Sequence, residues 1–271
     1  SSANLLGGRA RVIEMLGVNH SESKTIPLEY KLKWGSLPSV LLSEDPWQDL
    51  KAYTDTYLKE EIEEEAAVRN LGTFVRFLKV AAIQSGQQLN YSGVAGDCGV
   101  PETTVRNYFQ ILSDTLIGRS LEPWLKSKKR KAIQTVKFFL FDTGVRHALI
   151  DLKELSRDST EFGTALEHWI HHELRSRIAL TRSHAELTYW RSTAQHEVDF
   201  CLGDKIAIEV KSTKKLSEKH FSGLKALSEE GVFKRYAIVS FDEKTKNWNK
   251  KFECYYIDDF LSALAKGEFD L

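Results

Sequence analysis

Cysteine is scarce in this 271-residue chain: Cys98, Cys201 and Cys254 are the three present, and they lie far apart. An odd, scattered set makes neither a disulfide framework nor a zinc-ligand spacing, so a reduced, cytoplasmic protein is expected. Long apolar runs are missing as well. None approaches the roughly 20 residues a membrane helix needs, and no basic-then-apolar leader opens the chain, so no membrane partner is expected. Net charge is zero, with 38 Lys and Arg against 38 Asp and Glu, and any contact with nucleic acid must rest on local patches. There is no internal repeat and no low-complexity tract. The phosphate-binding loop G-x-x-x-x-G-K-[ST] is absent, and with it the backbone cradle for a nucleotide, so no ATP hydrolysis is expected of this chain. The sequence opens Ser1-Ser2-Ala3 rather than with methionine, which suggests a fragment, a processed product or a tagged chain.

What is present is an ordinary globular composition, 42% hydrophobic and 28% charged, with length enough for two domains. Residues 1–43 hold short apolar pieces broken by Gly7-Gly8, Gly17 and Gly35 and do not make a core of their own. From Asp45 a helix is predicted: Asp45 or Ser43 can cap it, Pro46 suits its first turn, and Trp47, Leu50, Tyr53, Tyr57 and Leu58 keep helical spacing. It runs into the acidic stretch Glu60–Glu65, read as a solvated helix face. A second helix follows over about 71–85.

Residues 88–141 carry a more specific pattern. A short helix (about 91–97), a tight turn at Cys98-Gly99-Val100 and a longer helix from Pro101 come first. Val105, Tyr108, Phe109, Leu112 and Leu116 share one face of that helix, with Thr103, Arg106, Asn107 and Gln110 opposite. Two strands follow, 116–124 and 135–141, joined by a basic link that holds Lys126, Lys128, Lys129, Arg130 and Lys131. Helix, turn, helix and a hairpin with a basic loop make a winged helix-turn-helix pattern. Thr103, Arg106 and Asn107 suit a DNA groove, and the basic loop suits phosphates. A winged helix used for packing or protein contact is the alternative.

Residues 151–160 are polar and read as a link. Beyond them helices and strands alternate in an α/β order: helix 163–178, strands near 187–191, 196–202 and 205–211, helix 216–230, strand 235–241, a short strand near 253–257 and a final helix. Side chains alternate across a strand. Ile206, Ile208 and Val210 therefore face one way, with Glu209 and Lys211 opposite; Val198, Phe200 and Leu202 form the apolar face of the preceding strand, with Glu197, Asp199 and Cys201 opposite. A two-residue turn at Gly203-Asp204 would set apolar faces against polar ones. A three-residue turn, Gly203-Asp204-Lys205, brings Asp199 level with Glu209. Paired carboxylates repel unless a cation sits between them, magnesium suits hard oxygen ligands, and a lysine beside them can serve the attacking water or the phosphate. A surface salt bridge between Glu209 and Lys211 is the plainer alternative. His168 and His172 have an i, i+4 zinc spacing but lack acidic or cysteine partners in pattern.

The residues Tyr189-Trp190-Arg191, His196-Glu197-Val198-Asp199-Phe200 and Ile208-Glu209-Val210-Lys211-Ser212 resemble the PD-(D/E)XK nuclease superfamily. They resemble in particular the nuclease-like C-terminal domain of a family of bacterial and archaeal AAA+ ATPases. Gly163-Thr164-Ala165-Leu166-Glu167 resembles that family's helix motif and implies Glu167 as a third acidic residue, with Glu173 a weaker rival. Leu37-Pro38-Ser39-Val40, Tyr57–Ile62, Thr104–Tyr108 and Phe139–Gly144 extend the similarity over nearly the whole chain. Asn4–Ala10 looks like the segment after the ATPase sensor strand, where Arg9 would act at a neighbouring subunit's nucleotide or serve structure alone.

The expected architecture is thus α+β/α/β: an ATPase-module remnant (1–43), a helical and winged helix-turn-helix domain (44–150) and a restriction-endonuclease-like α/β domain (151–271). The expected function is Mg2+- or Mn2+-dependent hydrolysis of DNA phosphodiesters in an ATPase-coupled prokaryotic protein. Asp199 and Glu209 would hold metal, with Glu167 and Lys211 assisting. DNA, an ATPase module or further copies of the chain are the expected partners. The alternative is a catalytically silent module that binds DNA or a partner and regulates an AAA+ ATPase.

Overall fold

The computed structural model of the chain describes residues 14–57, 60 and 71–269. The sequence similarity at residues 4–10, including Arg9, and nearly all of the acidic stretch 60–65 lie outside them; Glu60 itself is exposed.

Short helices α1 (Leu28–Trp34), α2 (Pro38–Leu41) and α3 (Pro46–Ala52) open the fold, and α3 runs into a π-helical stretch, Tyr53–Tyr57. The α3 start is the expected one: the Asp45 carboxylate accepts the Gln48 N–H, and Pro46 fills the first turn. Helices α4 (Leu71–Ile83), α5 (Tyr91–Cys98) and α6 (Glu102–Asp114) follow. Gly99, in the left-handed region at φ 67°, closes α5 and turns the chain into α6. Val105, Tyr108, Phe109 and Leu112 of α6 are buried against Phe74, Phe77 and Val94. Leu116, expected on that apolar face, is instead 55% exposed with φ 62°. The helix has already ended at Asp114, so the 3.6-residue period no longer places it.

Strands β1 (Gly118–Pro123) and β2 (Lys137–Leu140) pair antiparallel, and α7 (Thr143–Leu149) follows, capped by the Asp142 carboxylate. The long helix α8 (Thr160–Thr181), capped by Ser159, leads into β3 (Leu187–Arg191), β4 (Glu197–Leu202) and β5 (Ile206–Val210). A 3₁₀ turn (Glu218–Phe221), α9 (Ser222–Ser228), β6 (Arg235–Ser240), β7 (Asn247–Trp248), β8 (Phe252–Tyr256) and α10 (Ile257–Lys266) complete the order.

All eight strands join one mixed sheet in the order β2-β1-β3-β4-β5-β6-β8-β7. The hairpin of the expected winged helix-turn-helix is the edge of the larger sheet, through a parallel contact between β1 and β3. Its basic link is held along that sheet. Along β3 the Ile133 N–H donates to the Arg191 carbonyl, the Thr193 N–H to the Lys131 carbonyl and the Trp124 N–H to the Tyr189 carbonyl. The Glu230 carboxylate accepts the N–H groups of Lys128, Lys129 and Arg130. These bonds offset the chain entropy that a loop of this length would otherwise keep.

Each sheet face has its own core. Phe200, Leu202, Ile206, Ile208 and Val210 pack against α8 and α10. Val198, Cys201 and Ala207 pack against Phe221, Leu224 and Leu227. Full burial of an aliphatic side chain of this size contributes about 1.5–3 kcal/mol, so β5, with all its residues buried, anchors both layers. The β2 strand is divided in the same way. Phe138 and Leu140 enter the core of α4–α6, whereas Phe139 faces α8, stacked on His171 at 4.2 Å.

Candidate active site

The β4–β5 turn is the three-residue one. Leu202 pairs with Ile206, Cys201 with Ala207 and Phe200 with Ile208, a register that continues to Asp199 opposite Glu209. The ladder stops at that point, and the Asp199 Oδ2 accepts the Val210 N–H at 2.8 Å. On its other side β4 is bulged. Thr188 pairs with Cys201 but Trp190 with Val198, so Asp199 and Phe200 together stand opposite Tyr189. A bulge turns a side chain out of strict alternation. That is why Val198 packs with Trp190 on one sheet face and Phe200 on the other, contrary to the continuous apolar face expected of Val198, Phe200 and Leu202.

Asp199 and Glu209 are both buried, 7% and 6% exposed. Burial, then the neighbouring Asp199 charge, pushes the Glu209 carboxyl well above the usual range, with Lys211 pulling the other way. The Lys211 Nζ lies 2.5 Å from Glu209 Oε1, while Glu209 Oε2 is buried with no hydrogen-bond partner. Burial works against the Lys211 charge, but Asp199, Glu209 and Glu167 outweigh it and hold the ammonium protonated.

Glu167, on α8, is brought to the same cluster. Its carboxyl is pushed up to about 7, chiefly by burial and further by Asp199 and Glu197, against the pull of Lys137. Lys137 was not among the residues expected here. Its Nζ lies 3.0 Å from Glu167 Oε1 and 2.7 Å from Glu197 Oε1, and Glu197 also takes an ion pair from Arg191 at 3.1 Å. The signal for Lys137 was present in the alternation of 135–141, which sets it on the Phe139 side of β2. Only the tertiary structure says what that side meets. Gly223 brings α9 against β4 here: a Cβ at this position would stand 1.7 Å from the Glu197 carbonyl oxygen.

Among the described residues no group of three or more His, Cys, Asp and Glu side chains is arranged to hold a metal ion. A caged structural metal does not fit. Magnesium is commonly held by one or two carboxylates with the rest of its shell water, and Asp199 with the unpartnered Glu209 oxygen fits that requirement. Glu173 lies elsewhere, accepting the His20 N–H at 2.6 Å. His168 and His172 direct their Nε2 atoms at the carbonyls of Leu140 and Val18 (2.6 and 3.2 Å).

Thr103, Arg106 and Asn107 are exposed on the first turns of α6, as the sequence pattern placed them. Arg106 is paired with Glu102 at 2.6 Å and stacks over Tyr91 at 4.0 Å. In the basic link, Lys126 pairs with Asp204 (2.9 Å) and Arg130 with Glu229 (2.7 Å), and Lys128, Lys129 and Lys131 are exposed.

Two family descriptions match successive parts of the chain. Residues 27–156 match a domain of unknown function (DUF8612). Residues 162–260 match a second domain of unknown function (DUF4143), one found in AAA-ATPase-associated proteins. Uncharacterized proteins of Mycobacterium tuberculosis and Mycobacterium bovis are each 25% identical over 219 residues, 77% of this chain and 48% of the relative. The chain spans about half the length of these curated relatives. No solved structure matches it. No helix among the described residues is long and apolar enough to cross a membrane.

Proposed function

We propose that the chain is the DNA-handling part of an ATPase-coupled protein and carries a magnesium- or manganese-dependent nuclease site at Asp199, Glu209, Glu167 and Lys211. The observation that carries this reading is the buried Asp199–Glu209 pair, with one Glu209 oxygen unpartnered and the Lys211 ammonium against the other. The PD-(D/E)XK resemblance and the winged helix-turn-helix pattern agree with it.

A divalent cation bound by Asp199 and Glu209 would polarise the phosphoryl oxygens of a phosphodiester. Lys211 is placed to orient the attacking water and to offset charge that builds on the phosphate. Attack forms one P–O bond and breaks another; the attacking water gives up a proton to solvent and the leaving oxygen takes one from it. Val210 keeps Asp199 aimed through its N–H. Exposed Thr103, Arg106 and Asn107, with Lys128, Lys129 and Lys131, would hold DNA. In this reading the chain itself, which lacks the phosphate-binding loop, does not hydrolyse ATP.

A second reading, a catalytically silent module that binds DNA or a partner, draws on the ion pairs already present. Lys211 neutralises Glu209, and Lys137 neutralises Glu167 and Glu197. Incubation with labelled linear, forked and junction DNA, with Mg2+ or Mn2+, separates the two. Cleavage by the parent and not by Asp199→Ala supports the nuclease. Salt-sensitive binding without cleavage of any substrate supports the silent module.

A further inference from the structure

Lys137 reaches the acidic cluster from the helix-turn-helix side of the molecule. Its strand is held there by a bridge between Gln88 and Lys137 and by the Leu89 N–H on the Val136 carbonyl. Phe138 and Leu140 point into the α4–α6 core, so alternation sends Lys137 and Phe139 the other way. The side chain ends in a closed place, 3% exposed, with its ammonium 5.2 Å from the centre of the Tyr189 ring. Tyr189 is itself fixed: its hydroxyl accepts from Gln88 Nε2 and donates to the Thr135 carbonyl.

We infer that Lys137 occupies the place of a second divalent cation, so that the site takes a single one, at Asp199 and Glu209. The inference rests on the nuclease reading and specifies it. Two-metal phosphodiester sites set their ions about 3.5–4 Å apart, each on carboxylate oxygens. Here an ammonium already sits 3.0 Å from Glu167 and 2.7 Å from Glu197. A cation at about 2.0–2.1 Å from those oxygens, with its own water shell, requires that ammonium to leave. The lysine is buried and held by both carboxylates, so such a cation takes its place only by breaking two ion pairs.

The test is the number of Mn2+ ions bound by the full chain without DNA, counted by electron paramagnetic resonance of free Mn2+ and by calorimetry. The parent and Lys137→Arg are expected to bind one, Lys137→Met two, and Asp199→Asn none. Glu167→Gln is expected still to bind one, and it tests the inference should Lys137→Met fail to fold by circular dichroism. Two ions on the parent, one on a folded Lys137→Met, or none on Glu167→Gln overturns the inference and leaves the nuclease reading standing. No Mn2+ on the parent overturns both.

Discussion

The Asp199 carboxylate accepts the Val210 N–H at 2.8 Å, at the point where backbone pairing between β4 and β5 has stopped. One side chain thus satisfies a buried backbone donor and also supplies an oxygen to the candidate site. Asp199→Asn keeps an acceptor for that N–H, whereas Asp199→Ala leaves it unpaired. In urea denaturation Asp199→Ala is expected to be less stable than Asp199→Asn by about 1–3 kcal/mol, the usual penalty for an unsatisfied buried group. Equal stabilities would separate Asp199 from any role in the sheet.

Lys211→Ala separates chemistry from binding. Removing a group that serves the attacking water is expected to lower the cleavage rate by about 10²–10⁴-fold, with DNA affinity little changed. Single-turnover cleavage and a filter-binding titration on the same DNA check both halves. Cleavage at the parental rate would reduce Lys211 to the partner of Glu209 alone.

Exposed lysines in the link between β1 and β2 are expected to act through phosphate charge. The Lys128→Gln, Lys129→Gln, Lys131→Gln triple variant should flatten the slope of log affinity against log salt by up to about 0.9 per lysine on duplex DNA. An unchanged slope would mean that these side chains are merely solvated.

Gly223 has no room for a side chain. Gly223→Ala would drive a methyl group into the Glu197 carbonyl, 1.7 Å away on the undisturbed backbone. Forced overpacking costs about 1–3 kcal/mol. A loss in that range by chemical denaturation is expected. A variant as stable as the parent would show that α9 can shift freely on β4.

Two buried groups titrate with opposite effects on stability. Burial pushes the His168 imidazole down to about 3, so below about 6.5 the unfolded chain binds a proton that the folded one refuses. Stability is then lost as pH falls from about 6.5 towards 3, by about 1.4 kcal/mol per unit. His168→Gln, which keeps a donor for the Leu140 carbonyl, should remove that slope. Burial pushes the Glu173 carboxyl up to about 8. There the folded chain holds the extra proton, and stability is lost as pH rises from about 4.5 towards 8. Glu173→Gln should gain on the parent across that window. Urea denaturation of the three proteins from pH 4 to 8 reads both signs, and parallel curves would contradict them.

The amino-acid sequence by itself determined the local features. Asp45 and Pro46 start α3, the α6 face from Val105 to Leu112 packs, and the hairpin register brings Asp199 level with Glu209, because capping, helical period and strand alternation act over a few residues. Tertiary structure alone decided the rest. The bulge that sets Asp199 and Phe200 against Tyr189 depends on how β3 and β4 meet, and no pattern within β4 records it. The basic link follows β3 because the β3 backbone and Glu230 supply partners about sixty and about a hundred residues away. Lys137 joins the cluster for the same reason. Alternation gave it a face, and the docking of one edge strand against α8 and β4 made that face part of an acidic site. Long-range pairing brings together groups whose separation in sequence carries no periodic signal, so the charge partners of Glu167 and Glu197 became visible only in the folded chain.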